Sequence, residues 1–272
     1  MQNLLLPSEV EFSQGETATA ADLVISPCYF GYGTTLGNAL RRVLLSSLPG
    51  SAVEAFKING IQHEFTSVDG IKEDVVQIIL NLKQLAAKVH TDELVTLKIN
   101  KKTEGEVKAG DIEKNSNVEI MNKDLVLATI TKKMPFEMEI IVGRGRGFIP
   151  AEEKDKKDYD LGTIVIDSVY NPIKDVGYSV EYTRVGDVTN YEKLYVHVET
   201  NGVLTPREAI SQSTQIITDH FSIISNTLGV SETTEVEEVK KEVPEVEEDT
   251  TEKVEEEKPK TKAKKKAKKT KK

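Results

Sequence analysis

The stretch GYGTTLGNALRRVLLSSLPG, residues 31–50, constrains the fold more than any other. Leu36, Ala39, Leu40, Val43, Leu44 and Ser47 recur at helical spacing and form one largely apolar stripe. Thr34 or Thr35 is the expected N-cap, because a hydroxyl accepts a hydrogen bond from a free first-turn N–H. Pro49-Gly50 stops the helix, and Gly31, Tyr32 and Gly33 read as a flexible lead-in. At 100° per residue, Asn38, Arg41, Arg42 and Leu45 point the opposite way. A merely solvated face is usually Lys, Glu and Ser, whereas arginine around an outward Leu suits a protein contact. The helix therefore has two surfaces to satisfy: its own core and another protein.

Charge narrows the partner. Residues 231–272 carry 13 lysines and 13 acidic residues, so the formal charge of −9 resides on the remainder of the 272-residue chain. An acidic body is a poor general nucleic-acid binder, because neutralising phosphates takes a basic surface. The lone Cys28 excludes an internal disulfide framework and a cysteine-cluster metal site, and reads as a small apolar filler. No run approaches the ~20 apolar residues a membrane-spanning helix needs. MQNLLLPSEVEF turns acidic too early for a secretory signal. A cytoplasmic protein with no membrane contact is expected.

Along the chain, Val10 and Phe12 alternate with polar residues, and residues 18–25 resume an extended pattern, which predicts a hairpin. Residues 52–58 lead to Asn59-Gly60, a hairpin signal, with Ile61, His63 and Phe65 as the returning strand. Ser67 or Asp69 is then expected to cap a second helix carrying Ile71, Val75, Ile78, Leu82 and Leu85, with Lys83 off its centre. Short alternating segments fill residues 94–142. Strands follow over residues 162–168, 178–182 and 193–200, with Tyr195 and His197 on one face and Val196 and Val198 on the other. Thr205-Pro206-Arg207-Glu208 is a capping box with proline at the first helical position. It opens a helix whose apolar stripe of Ala209, Ile210, Ser213, Ile216, Ile217, His220, Phe221, Ile224 and Leu228 is wider than a small sheet can cover, so packing on the first helix and on a second copy of the chain is expected.

The chemical inventory is thin. His63, His90, His197 and His220 have no partner at a metal-ligand spacing, and no nucleophile–base motif or phosphate-binding lysine is present. VGRGRGFIP, around Arg144 and Arg146, admits two readings: a backbone cradle for phosphate, or a connecting loop with solvated arginines touching a partner. The absence of GK[ST] favours the loop. Two function classes are open on the residues alone: an assembly protein, or an acidic enzyme or small-ligand binder using the glycine loops. A dimeric adaptor lies between them. Residues 231–272 are Glu-rich and then Lys-rich, with ten lysines in the last 15 residues and no aromatic, so they are expected to be disordered. The lysine end would contact DNA weakly and non-specifically, if at all, through counterion release.

Residues 31–65, together with VDGIKEDVVQIILNLKQL, GRGRGFIPAEE and LYVHVETNGVLTPREAI in the same order, resemble the N-terminal part of the alpha subunit of bacterial-type DNA-directed RNA polymerase. The resemblance covers roughly residues 5–229. It implies an α+β chain: a dimerisation domain from residues 1–49 and 168–230, with helices packed on an antiparallel sheet, and an inserted mostly β domain over residues 50–167. It implies a homodimer that nucleates assembly of the beta and beta-prime subunits, within a nucleotidyltransferase whose catalytic residues and Mg lie in those subunits. No cofactor, metal or catalytic residue is expected in this chain. By the same resemblance Arg42, Leu45, Ser46 and Lys83 meet beta, and Tyr170, Pro172, Lys174 and Lys193 meet beta-prime. Leu36, Leu40, Val43, Leu44, Ile217, Phe221 and Ile224 meet the second copy. The chain departs from the family at Pro27-Cys28-Tyr29-Phe30, where relatives carry charged residues, and in its tail, where relatives continue into a helical DNA-binding domain. Source lineage stays open between a bacterium and an organelle.

Overall fold

The computed structural model describes residues 4–15, 17–155 and 159–229; the tail expectation for residues 231–272 lies outside them. In chain order the elements are β1 (Glu9–Gln14), β2 (Ala20–Cys28), α1 (Tyr32–Ser46), β3 (Pro49–Ile58), α2 (Val75–Lys83), β4 (Ala87–Val89), β5 (Val95–Lys101), β6 (Gly105–Lys108) and β7 (Val118–Ile120). They continue with β8 (Val126–Ile130), β9 (Phe136–Arg146), β10 (Phe148–Ile149), β11 (Ile164–Val165), β12 (Ser168–Val169), β13 (Ile173–Val185), β14 (Val188–Thr200) and α3 (Pro206–Thr227). Among the described residues the result is a mixed helix-and-sheet fold with few helices and only antiparallel pairing between its strands.

One sheet has the order β1-β2-β14-β13 and therefore joins residues 9–28 to residues 173–200. Alternation along β14 puts Leu194, Val196 and Val198 inward, where α1 and α3 cover them, and Tyr195 and His197 outward. Leu40 and Leu44 of α1 and Ala209 of α3 join this core, with Leu23, Cys28, Leu48, Ile173 and Val176. The second sheet has the order β11-β3-β9-β5. It buries Phe56, Met138, Ile140 and Leu97 against Val75, Ile78 and Leu82 of α2. The first core draws on residues from both ends of the described chain, and the second only on residues between Val53 and Ile166.

Five local expectations are corrected. The first helix begins at Tyr32, before either threonine, and its cap is Gly31 at φ 84° with no side-chain bond of its own. Gly31 and Gly33 are not a loose lead-in, because the Glu192 carboxylate accepts from both backbone N–H groups, at 2.9 and 2.8 Å. The second helix begins at Val75, capped by Asp74, whose side chain accepts from Gln77 N at 2.7 Å. Gly70 at φ 77° turns the chain before it, so Ser67 and Asp69 lie outside the helix. No strand returns after Asn59-Gly60; β3 finds its partners in β9 and β11, and Phe65 lies exposed. VGRGRG is not a loop, since β9 continues through Arg146 and pairs with β3 to Pro49.

The glycines of that strand are set by packing. A Cβ at Gly145 would lie 2.9 Å from the Tyr170 ring, and one at Gly143 would collide with the Glu54 carboxylate. The space a phosphate cradle needs is filled by these side chains. Similarly, Gly33 and Gly37 face the sheet one turn apart, where a Cβ at Gly37 would come within 2.6 Å of Tyr178. Close approach of α1 to β13 and β14 therefore requires glycine at both positions.

Candidate functional site

The outward face of α1 has fewer free members than its sequence implies. Arg41 reaches back to its own sheet, its Nε donating to the Val176 carbonyl at 3.2 Å. Arg42, Leu45 and Ser46 remain exposed; the Ser46 hydroxyl donates to the Arg42 carbonyl at 2.8 Å. The Arg42 guanidinium has no partner among the described residues. A cation left unpaired beside Leu45, which is 37% exposed, is available to a carboxylate from elsewhere.

The last turn of α2 supplies Lys83, whose Nζ lies 2.9 Å from Asp167 Oδ2. The other Asp167 oxygen accepts from Ala151 N at 2.9 Å. That backbone bond, with Lys83 adding to it, holds the Asp167 carboxyl below the usual range. Lys83 is thus oriented, and it borders a cleft of about 640 Å³ lined by Phe65, Val76 and Ile79 among others.

Residues 166–170 connect these pieces. Ile166, Ser168 and Tyr170 turn inward, whereas Asp167 and Val169 turn outward. Ser168 Oγ donates to the Val53 carbonyl at 2.6 Å and accepts from Lys154 Nζ at 2.5 Å. Lys154 also donates to the carbonyls of Ile166 and Glu54, at 2.7 and 3.1 Å. Its burial lowers its pKa from the ordinary lysine value. Tyr170 is only 2% exposed, and its hydroxyl donates to Glu54 Oε1 at 2.7 Å, while Tyr159 donates to the other oxygen at 2.9 Å. Burial, followed by the Glu54 contact, raises the Tyr170 pKa far above its ordinary value. Tyr170 and the buried Pro172 therefore offer almost no surface of their own. Lys174 is exposed and lies 3.8 Å from Glu199. Lys193 sits on the outward face of β14, 5.2 Å from the centroid of Tyr195. Tyr195, with Glu11 and Glu181 adding to its effect, holds the Lys193 pKa above the ordinary lysine value.

The residues expected at a second copy divide by depth. Leu40 and Leu44, the latter 0% exposed, are spent on the chain's own core. Leu36, Val43 and Ile217 are half-buried, and α3 packs on α1 over its first half. Beyond it Phe221, Ile223, Ile224 and Leu228 stand exposed. Sequence reasoning missed Glu192, Glu54, Phe148 and Val169. No local spacing announces the first two, because their partners lie far away in the chain. Phe148 and Val169 belong to separate two-residue strands too short to show a period.

Comparison with known proteins bears on this arrangement. The family model described as the RNA polymerase Rpb3/RpoA insert domain matches residues 56–171. The DNA-directed RNA polymerase subunit alpha of Oceanobacillus iheyensis is 48% identical over 221 residues, covering 81% of this chain and 70% of that one. The subunit of the same name from Desulforamulus reducens is 48% identical over 226 residues, covering 83% and 71%.

Proposed function

The chain belongs to the family of DNA-directed RNA polymerase alpha subunits, and from that premise we propose that it is the homodimeric scaffold on which the beta and beta-prime subunits assemble. The observation that carries the dimer is the uncovered second half of α3. Phe221, Ile223 and Ile224 on the helix and Leu228 at its C-cap, beyond the reach of the chain's own sheet, favour burial against a second copy. The assembled complex is the nucleotidyltransferase; this chain contributes no catalytic residue and no cofactor, and Mg serves the large subunits. The setting is cytoplasmic.

The division of labour follows the two cores. Residues 1–49 and 168–230 form the dimerisation domain, and residues 50–167 form the inserted domain. Arg42, Leu45, Ser46 and Lys83 meet beta. Lys193 and Lys174 meet beta-prime, with Tyr170 and Pro172 shaping that turn from beneath. The lysine end of residues 258–272 contributes at most a weak, salt-sensitive contact to DNA.

Co-purification with the tagged full-length chain tests the reading. Two large chains in stoichiometric amounts with RNA synthesis activity are expected, and a homodimer with no large partner would overturn it. Arg42→Ala is expected to weaken beta binding by about 2 kcal/mol, the scale of an interface hot spot, and to leave the dimer intact.

A further inference from the structure

Phe148 and Val169 form a directly opposed pair on the two-residue strands β10 and β12, and they are 59% and 52% exposed. Single exposed apolar residues are ordinary, but an adjacent pair facing outward with no cover is not. Nor is this pair loosely held. A sheet of two such short strands is unstable alone, and here buried groups fix it from behind. Ser168 is bound to Val53 and Lys154, Tyr170 is bound to Glu54, and Tyr170 N donates to the Gly147 carbonyl at 2.9 Å. Gly147, at φ 66°, makes the corner between β9 and β10 that presents Phe148.

The pair also lies between two surfaces the sequence keeps apart. At one end, a Cβ on Gly147 would sit 3.6 Å from the Ser46 carbonyl, so β10 begins against the end of α1. At the other, Asp167, next to β12, holds Lys83 at 2.9 Å. The end of α1 that carries Arg42 and Leu45 thus abuts the start of β10, and Val169, Asp167 and Lys83 line one depression beyond it, with the Arg42 guanidinium unpaired among the described residues.

We propose that Phe148 and Val169 are the apolar centre of the surface that docks the Arg42-dependent large subunit. Its occupant is an apolar segment of that subunit carrying a carboxylate for Arg42. This rests on the scaffold reading above. Exposed aromatic residues on a rigid frame lose little conformational entropy on binding, and a central apolar anchor with charges at its rim is how binding energy concentrates in protein interfaces. The charges alone would steer the encounter without holding it.

The test uses the full-length dimer and each large subunit separately. Phe148→Ser and Val169→Ser are each expected to weaken binding of the Arg42-sensitive subunit by about thirtyfold. Both should leave the dimer, the denaturation midpoint and binding of the other large subunit unchanged. Wild-type binding with both variants equally tight would overturn the inference and leave the scaffold reading intact, whereas wild-type protein that binds neither large subunit would overturn the scaffold reading itself. A variant that turns monomeric would assign the patch to the second copy and overturn the inference as well. Val169→Ser probes the same surface away from the Gly147 corner, so a folding failure of Phe148→Ser still leaves a deciding measurement.

Discussion

The carboxylate of Glu192 caps the first helix from 161 residues away, accepting from Gly31 N at 2.9 Å and from Gly33 N at 2.8 Å. It supplies negative charge where the helix dipole is positive, and it ties α1 to β14. Glu192→Ala is expected to destabilise the chain by about 2 kcal/mol, the cost of removing a hydrogen-bonded charged acceptor. Gly33→Ala should act in the same direction, because its Cβ would meet Glu192 Oε2 at 2.8 Å and Val180 at 3.0 Å. Denaturant midpoints of the two variants and of their double mutant measure both effects. They should not add, since both changes disturb one contact.

Uncovered apolar residues on α3 predict a dimer that polar substitutions there weaken. Phe221→Ser combined with Ile224→Ser should shift the chain to monomer at micromolar concentration with its sheet intact. Sedimentation and circular dichroism read the two quantities separately. A variant that remains dimeric would place the copy–copy contact elsewhere.

Tyr170 predicts an alkaline effect. Its pKa is raised by burial and by Glu54, so the neutral phenol is the folded form. The stability it contributes is complete below the unfolded value, about 10, and is lost as pH rises above it. Tyr170→Phe should cost about 2 kcal/mol at neutral pH, by leaving Glu54 Oε1 without its donor, and should flatten stability against pH above 10. Ultraviolet titration of the wild type should show a tyrosine that fails to ionise with the exposed ones.

The capping box of α3 predicts an acid effect of opposite sign. Hydrogen bonds from the backbone and then the side chain of Thr205 hold the Glu208 carboxyl below its ordinary range. Its contribution is present above the unfolded value, about 4.3, and is lost as pH falls through the folded one. Glu208→Gln should reduce the acid dependence of helix melting. Thr205→Ala should cost about 1 kcal/mol at neutral pH, read by thermal unfolding.

The sequence by itself determined what depends on neighbours along the chain. The Thr205–Glu208 box, the stripe of Leu36, Leu40 and Leu44, and the alternation through Leu194, Val196 and Val198 were all legible, because helix and strand periods fix which residues share a face. Tertiary structure decided what depends on distant partners. Glu192, not a threonine, caps α1; Tyr170 and Glu54 fill the space over Gly145 and Gly143; β3 pairs with β9 rather than with the residues after Asn59-Gly60. It also decided which residues expected at a partner are free. Arg41 is taken by Val176 and Leu44 by the core, whereas Arg42 and Phe221 are left open. Burial and pairing are properties of the packed chain, and contacts made between residues far apart in the chain leave no period in the sequence from which to read them.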